Sequence, residues 1–327
     1  MKNLLESSHF KKFKNDNILY KSNLINILFY ILLLLIIISI ILISFLSKFI
    51  LQAKNLIEFN SKMIFKNHLI EDIKNFNSSN LSIKEKKLYK MLCPRDVNGK
   101  KKILVGNFGD GGYVLFDDFE DIKIAYSFGI NKEISFDKYL ANKGINVYMY
   151  DHTIDSIPSN DTKLHWKKIG LGTKNSNKKN LKSLEELLLD NGHINEKNMI
   201  LKIDIEHNEW DPLKEIPKKI LKKFKYIILE LHFFKSEEYQ LYLEVLKKLT
   251  NNHQPFHIHC SNCGGLFTIG DNPICRSLEI SFIIKKDNKF KKDFQSYPIK
   301  EFDYKICTRK PSLNKESNIL KYCDLTN

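Results

Sequence analysis

The segment "LKIDIEHNEW", Leu201 to Trp210, ends an apolar, strand-like run in a burst of polar side chains: Asp204, Glu206, His207 and Glu209. Successive side chains of a strand alternate between faces, so Asp204 and Glu206 fall on one face and Ile203 and Ile205 on the other. Two carboxylates so spaced can take the proton of an acceptor hydroxyl, hold a metal ion or bind a substrate. A solvated strand end is the plain alternative. Other fragments end in a similar way. "IKIAYSFG" runs into "INKEISFD", where Gly129 permits a tight turn beside a ligand and Glu133 or Asp137 can face a cation. "INVYMYD" closes on Asp151, about twenty residues later, where a carboxylate can accept hydrogen bonds from both hydroxyls of a ribose. "KYIILELHF" puts Glu230 and His232 on one face, and the neighbouring carboxylates would keep His232 basic. "PFHIHC" continues into "SNCGG", which sets His259 and Asn262 on the substrate side of the same end.

His257, His259, Cys260, Cys263 and Cys275 are metal-like ligands, but a structural zinc site usually has two cysteine knuckles and this chain has one CxxC. No metal is expected. Upstream, "GNFGDGGYVLFDD" (106–118) offers a glycine turn at Gly109, Gly111 and Gly112 that can fold over a ligand. It lacks the GK[ST] of a phosphate loop, which excludes that mode of nucleoside triphosphate binding.

These fragments need a scaffold that brings strand ends together. From Cys93 onward, short apolar runs alternate with amphipathic helices, the pattern of a parallel α/β sheet covered on both faces. Strands are expected at 122–129, 145–151, 164–172, 198–206, 225–233, 255–260 and 277–286, with helices over Glu133–Asn142, Ser183–Asn191, Asp211–Phe224 and Ser236–Asn251. Ser183 with Glu186 makes a capping box, and Asp211-Pro212 supplies an N-cap followed by proline. The last two strands are joined by a Gly/Asn-rich loop without a helix, so that pair is expected to be antiparallel. Open parallel sheets bind ligands at the carboxyl ends of their strands, where strand order reverses.

The N-terminus differs. Leu24 to Leu46 is uncharged for 23 residues, long enough for a helix to span a bilayer core of roughly 30 Å. No cleavage-like site follows, so a transmembrane anchor is expected in place of a signal peptide. The division is a polar tail (1–23), the anchor (24–46), a helical stalk (47–92), the main domain (93–290) and a C-terminal extension (291–327). The lysines before the span slightly outnumber those after it, which favours a cytoplasmic N-terminus and the domain on the far side. The net charge of +14 would suit nucleic acid, but Arg95, Arg276 and Arg309 are the only arginines and the lysines are spread evenly. No nucleic-acid partner is expected. Six cysteines suit disulfides or reduced thiols equally.

"DGGYVLFD", "YSFGINKEISFD", the aspartate ending the second strand, "KIGLG", "LKIDIEHNEW", "ILELH" and "HIHCSNCGG" come in the order seen in a methyltransferase-like family with membrane-anchored members. The fourth-strand element also resembles FkbM-type O-methyltransferases, where it reads LKIDIEGAEW. The likeness covers roughly Cys93 to Lys286. It implies a Rossmann-like class I methyltransferase fold, a seven-stranded, mostly parallel sheet with an antiparallel last strand. It implies S-adenosylmethionine as cofactor, held by Gly111, Gly112, Tyr113, Gly129, Glu133, Asp151 and Asp204. Asp204, Glu206 and His232 are then the catalytic candidates, and a sugar or other small-molecule hydroxyl is the acceptor. His207-Asn208 replaces the small Gly-Ala pair, so a non-catalytic module that recognises a glycan or protein stays open as an alternative.

Overall fold

The computed structural model describes residues 90–303, except 175, 177–179, 234, 262–265, 270–271, 294, 296 and 298, together with residue 88 and part of 32–54. The chain divides into two compact units, Met1–Ile73 and Lys74–Asn327. In the first, residues 32–36, 38–40 and 42–48 are helical, with exposed leucines and isoleucines. Among the described residues no helix is long and apolar enough to cross a membrane. The anchor expected at 24–46 lies partly outside the described residues, as does most of the 47–92 stalk. The tail at 1–23 lies outside them entirely.

After the short strand Arg95–Val97, the second unit forms an antiparallel hairpin, β1 (Lys102–Val105) and β2 (Tyr113–Phe116). There follow β3 (Ile124–Phe128), α1 (Ser135–Asn142), β4 (Asn146–Tyr150), β5 (Leu164–Lys167), α2 (Leu184–Asp190), β6 (Met199–Ile203) and α3 (Trp210–Glu215). The chain continues through β7 (Phe224–His232), α4 (Tyr239–Asn252), β8 (His253–Cys260) and β9 (Ser277–Ile284). Seven strands form one sheet in the order β8-β9-β7-β6-β3-β4-β5. Strands β7, β6, β3, β4 and β5 run parallel, and β9 lies antiparallel between β7 and β8. The chain leaves β3 toward β4 on one side and returns to β6 on the other, so the strand order reverses beside β3.

Burial explains the pattern. All five residues of β6 are buried, as a strand covered on both faces requires. Helix α4 buries Tyr242, Val245, Leu246 and Leu249, the i, i+3, i+4, i+7 stripe of one face. Trp210 donates from Nε1 to the His232 carbonyl at 2.6 Å and packs on Phe233 and Tyr242, fixing α3 against the end of β7.

Several boundaries differ from the sequence reading. The helix expected over 211–224 is broken into α3 and a short turn, Lys218–Leu221, because Pro217 holds extended backbone between them. Glu209, not Asp211, occupies the N-cap of α3. The strand expected at 164–172 stops at Lys167, and Gly170–Leu171 pairs separately with Leu181–Lys182. The fourth strand ends at Ile203, because Glu206 and His207 adopt left-handed backbone with φ of 48° and 75°. Asp204 and Glu206 therefore do not share the alternation of a strand. Beyond residue 290, Phe290–Lys292 pairs with Arg95–Val97, and Tyr297 and Ile299 are buried.

Ser183 caps α2 in a complete capping box: its Oγ accepts from the Glu186 N–H, and Glu186 accepts from the Ser183 N–H at 2.8 Å. Replacing Ser183 with Ala is expected to cost about 1 kcal/mol. A lower urea midpoint with an unchanged slope is the expected readout, and an unmoved midpoint would show that the cap is dispensable.

Candidate functional site

The site is built on the turn that follows β3. Gly129 has φ of 75°, and a side chain there would run into the Asp204 carbonyl oxygen, so only glycine lets this turn lie against the end of β6. The Gly129 N–H donates to the Tyr150 carbonyl, and the Asp204 N–H donates to the Phe128 carbonyl, each at 3.1 Å. Asp151, just past β4, completes the turn. One carboxylate oxygen accepts from the Ile130 and Asn131 N–H groups at 2.9 and 2.8 Å. The other accepts from the N–H and hydroxyl of Thr153 at 2.8 and 2.6 Å. Burial works against its charge, but the donations from Thr153, Asn131 and Ile130 outweigh it and hold the carboxyl below the usual range.

A cavity of about 700 Å³ opens over this turn at the carboxyl ends of β3, β4 and β6. Its described lining is acidic: Asp110, Glu133, Asp151, Asp204 and Glu206, with Lys202 as the only lysine or arginine among the described residues. Tyr113 reaches in from β2 and donates to Asp204 Oδ2 at 2.7 Å. Burial, with Asp204 nearby, raises the Tyr113 pKa well above the ordinary value, so the phenol stays a donor. Lys202 donates to the Gly129 carbonyl at 2.7 Å and stands 3.6 Å from Asp204 Oδ2. Glu133 is fixed by donations from the Ser135 N–H at 2.7 Å and Asn107 at 3.2 Å.

Of the residues singled out from the sequence, Gly111, Tyr113, Gly129, Glu133, Asp151, Asp204 and Glu206 come together around this cavity. Others do not line it. Gly112 packs against the Asn107 backbone, where any side chain would overlap the carbonyl oxygen. Asp137 is buried on the inner face of α1. His232 lies behind Glu206: its Nδ1 is 2.9 Å from Glu209 Oε1, and its Nε2 is 3.6 Å from both Glu206 and Glu230. It is a neighbour of the site and does not line the cavity itself. Burial opposes its charge, but the Glu209 hydrogen bond and the surrounding carboxylates raise its pKa overall. His259 is buried with Nδ1 3.0 Å from Glu279 and is not among the lining residues. Asn262 lies outside the described residues. Cys260 and Cys275 form a disulfide, and Cys93 is also disulfide-bonded. Among the described residues no group of His, Cys, Asp or Glu is placed to hold a metal ion.

The sequence reading missed Asp110 and Lys202 in the lining. Asp110 had a signal, an acid inside a glycine turn. Lys202 had almost none, since a single lysine in an apolar strand reads as an edge or a strand end.

The profile of the Methyltransferase FkbM domain matches residues 99–264, half of the chain. The chain belongs to that family. A comparison with curated proteins finds no match. Every residue lining the cavity falls within the FkbM match. Of the pair that departs from the FkbM-type Gly-Ala, His207 packs edge-on against His232, ring centres 4.6 Å apart, and is not a lining residue, whereas Asn208 lines the cavity.

Asp151 yields a test. Asparagine at this position sets an NH₂ against N–H donors, and a loss of about 2–4 kcal/mol is expected. Because the folded carboxyl titrates below its ordinary 3.8, its contribution is full above that pH and is lost as pH falls through the folded value. Thermal melts of wild type and Asp151→Asn should therefore differ widely at pH 7 and converge below about pH 3.8. Equal melts at neutral pH would remove Asp151 from this structural part.

Proposed function

We propose that this FkbM-family methyltransferase uses S-adenosylmethionine and methylates a hydroxyl of a sugar or another small molecule. The observation that carries this reading is the acidic cavity on the Gly129 turn, with Asp204 beside the turn and Tyr113 donating to it. The lining suits the cofactor. Backbone without a side chain at Gly129 leaves room for a close ligand, and several carboxylates with one ammonium complement a molecule bearing two cations and one carboxylate.

The cofactor, when bound, supplies a methyl group already activated on a sulfonium. What remains for the chain is to align the acceptor and remove one proton. Asp204 is the residue for that proton, its carboxylate oriented by Tyr113. Glu206, with its side chain largely exposed at the cavity wall, is placed to meet the acceptor. His232 acts behind them, its Nδ1 fixed by Glu209. The alternative, a module that binds without catalysis, rests on the bulk of His207-Asn208; His207 packs onto His232 and only Asn208 reaches the cavity.

We also propose that residues 24–46 anchor the protein in a lipid bilayer, which the uncharged run and its exposed apolar helical residues support. The Cys260–Cys275 disulfide favours an oxidising compartment for the domain, in keeping with a cytoplasmic N-terminus. Carbonate washing should leave the full chain in the membrane pellet. Release into the supernatant would remove the anchor.

The catalytic assignment is tested with Asp204→Asn in the full-length chain, assayed by transfer of labelled methyl from S-adenosylmethionine to a pool of small-molecule glycosides. Turnover should fall on the order of 10²-fold while the melting temperature holds. Undiminished turnover would take the proton-accepting part away from Asp204.

A further inference from the structure

Strand β6 is covered on both faces, yet it carries a lysine one residue before its end. Lys202 is only 6% exposed. An ammonium taken from water costs several kcal/mol unless it is well paired, and the carboxylates of Asp204, the buried Asp137 and Asp110 all act on this one. Of its three N–H donors, one goes to the Gly129 carbonyl at 2.7 Å. Asp204 Oδ2 stands at 3.6 Å, beyond ordinary hydrogen-bond reach, and the Tyr113 ring centre lies 5.4 Å away. Supporting the Gly129 turn needs a donor but not a charge. Its charge also faces the cavity: Lys202 is the only lysine or arginine among the described lining residues, beside Asp110, Gly129 and Asp204.

We propose that Lys202 binds the α-carboxylate of S-adenosylmethionine and so selects the amino-acid end of the cofactor. This rests on the cofactor reading above. The cofactor's two cationic groups have several carboxylates to choose from, whereas its single carboxylate would meet like charge nearly everywhere else in the cavity. Lys202 gives that carboxylate one favourable place, on a strand too rigid to move away. The same contact orients the ligand, because it sets the methionyl end against the Gly129 turn and leaves the Asp151 side for the nucleoside. Asp204 then lies close to the methionyl end, where an acceptor must approach.

The experiment is calorimetric titration of the full-length protein with S-adenosylmethionine and with decarboxylated S-adenosylmethionine. Wild type should bind the carboxylate-bearing ligand about 10–100-fold more tightly, the worth of a charged hydrogen bond. Lys202→Gln keeps a donor for the Gly129 carbonyl and removes the charge. It should bind both ligands alike, with affinity lost for S-adenosylmethionine and nearly unchanged for the decarboxylated form. Lys202→Arg, which keeps the charge, should retain a preference, and it carries the test should the glutamine variant fail to fold. Equal binding of the two ligands by wild type, or a preference that survives in Lys202→Gln, overturns the assignment while the cofactor reading stands. Wild type that binds neither ligand overturns both.

Discussion

Everything at the site depends on how closely the turn after β3 lies against the end of β6. Gly129 touches the Asp204 carbonyl with no room for a side chain. Its own carbonyl is held by Lys202 from β6, its N–H by Tyr150 from β4, and the next two N–H groups by Asp151. One short turn is thus tied to two neighbouring strands. The strand order reverses here, so no helix fills the gap above, and the cavity is what remains. Because its donors and acceptors are backbone groups and buried side chains, the site is set before any ligand arrives, and little has to be ordered on binding.

A second constraint lies behind the cavity. Glu230 and Glu279 face each other across β7 and β9, a like-charge pair that would be destabilising if both were ionised. Burial, with Asp204 and Glu279 close by, pushes the Glu230 carboxyl far above the ordinary range, so it keeps its proton. Ser277 donates to Glu230, and Glu279 is paired with His259. Together with Glu209 and His232, these groups form a buried polar layer behind Asp204 and Glu206. A chain of net charge +14 therefore presents an acidic interior at its sheet ends, and its abundant lysines lie mostly outside the cavity.

Much of this was legible in the residues. The alternation of β-branched runs and amphipathic helices marked out seven strands, and polar strand ends located the face that carries the cavity. Gly129, Asp151 and Asp204 could be read because burial penalises an acid at the end of an apolar strand unless donors or a ligand meet it, and a glycine beside it lets backbone come close. The rest was hidden for physical reasons. Left-handed backbone at Glu206 and His207 carries no signature without glycine, so the expected alternation ran three residues too far. Pro217 ends α3, and a helical reading that weighs only apolar spacing passes over it. His232 reads as basic among carboxylates and is so, but the acids nearest to it and to His259, Glu209 and Glu279, lie too far along the chain to be paired with them from sequence. Lys202 was the hardest case, since its environment depends on β2, β3 and the Gly129 turn, three segments remote from it in the chain.

The most direct measurement is calorimetric binding of S-adenosylmethionine to the full-length protein and to its Gly129→Ala variant. A methyl group at that position must displace the end of β6 or strain backbone at φ of 75°. Wild type should bind saturably, and the variant should lose about 10-fold or more in affinity. Absence of binding by wild type, or unchanged affinity in Gly129→Ala, would contradict a cofactor site built on this turn.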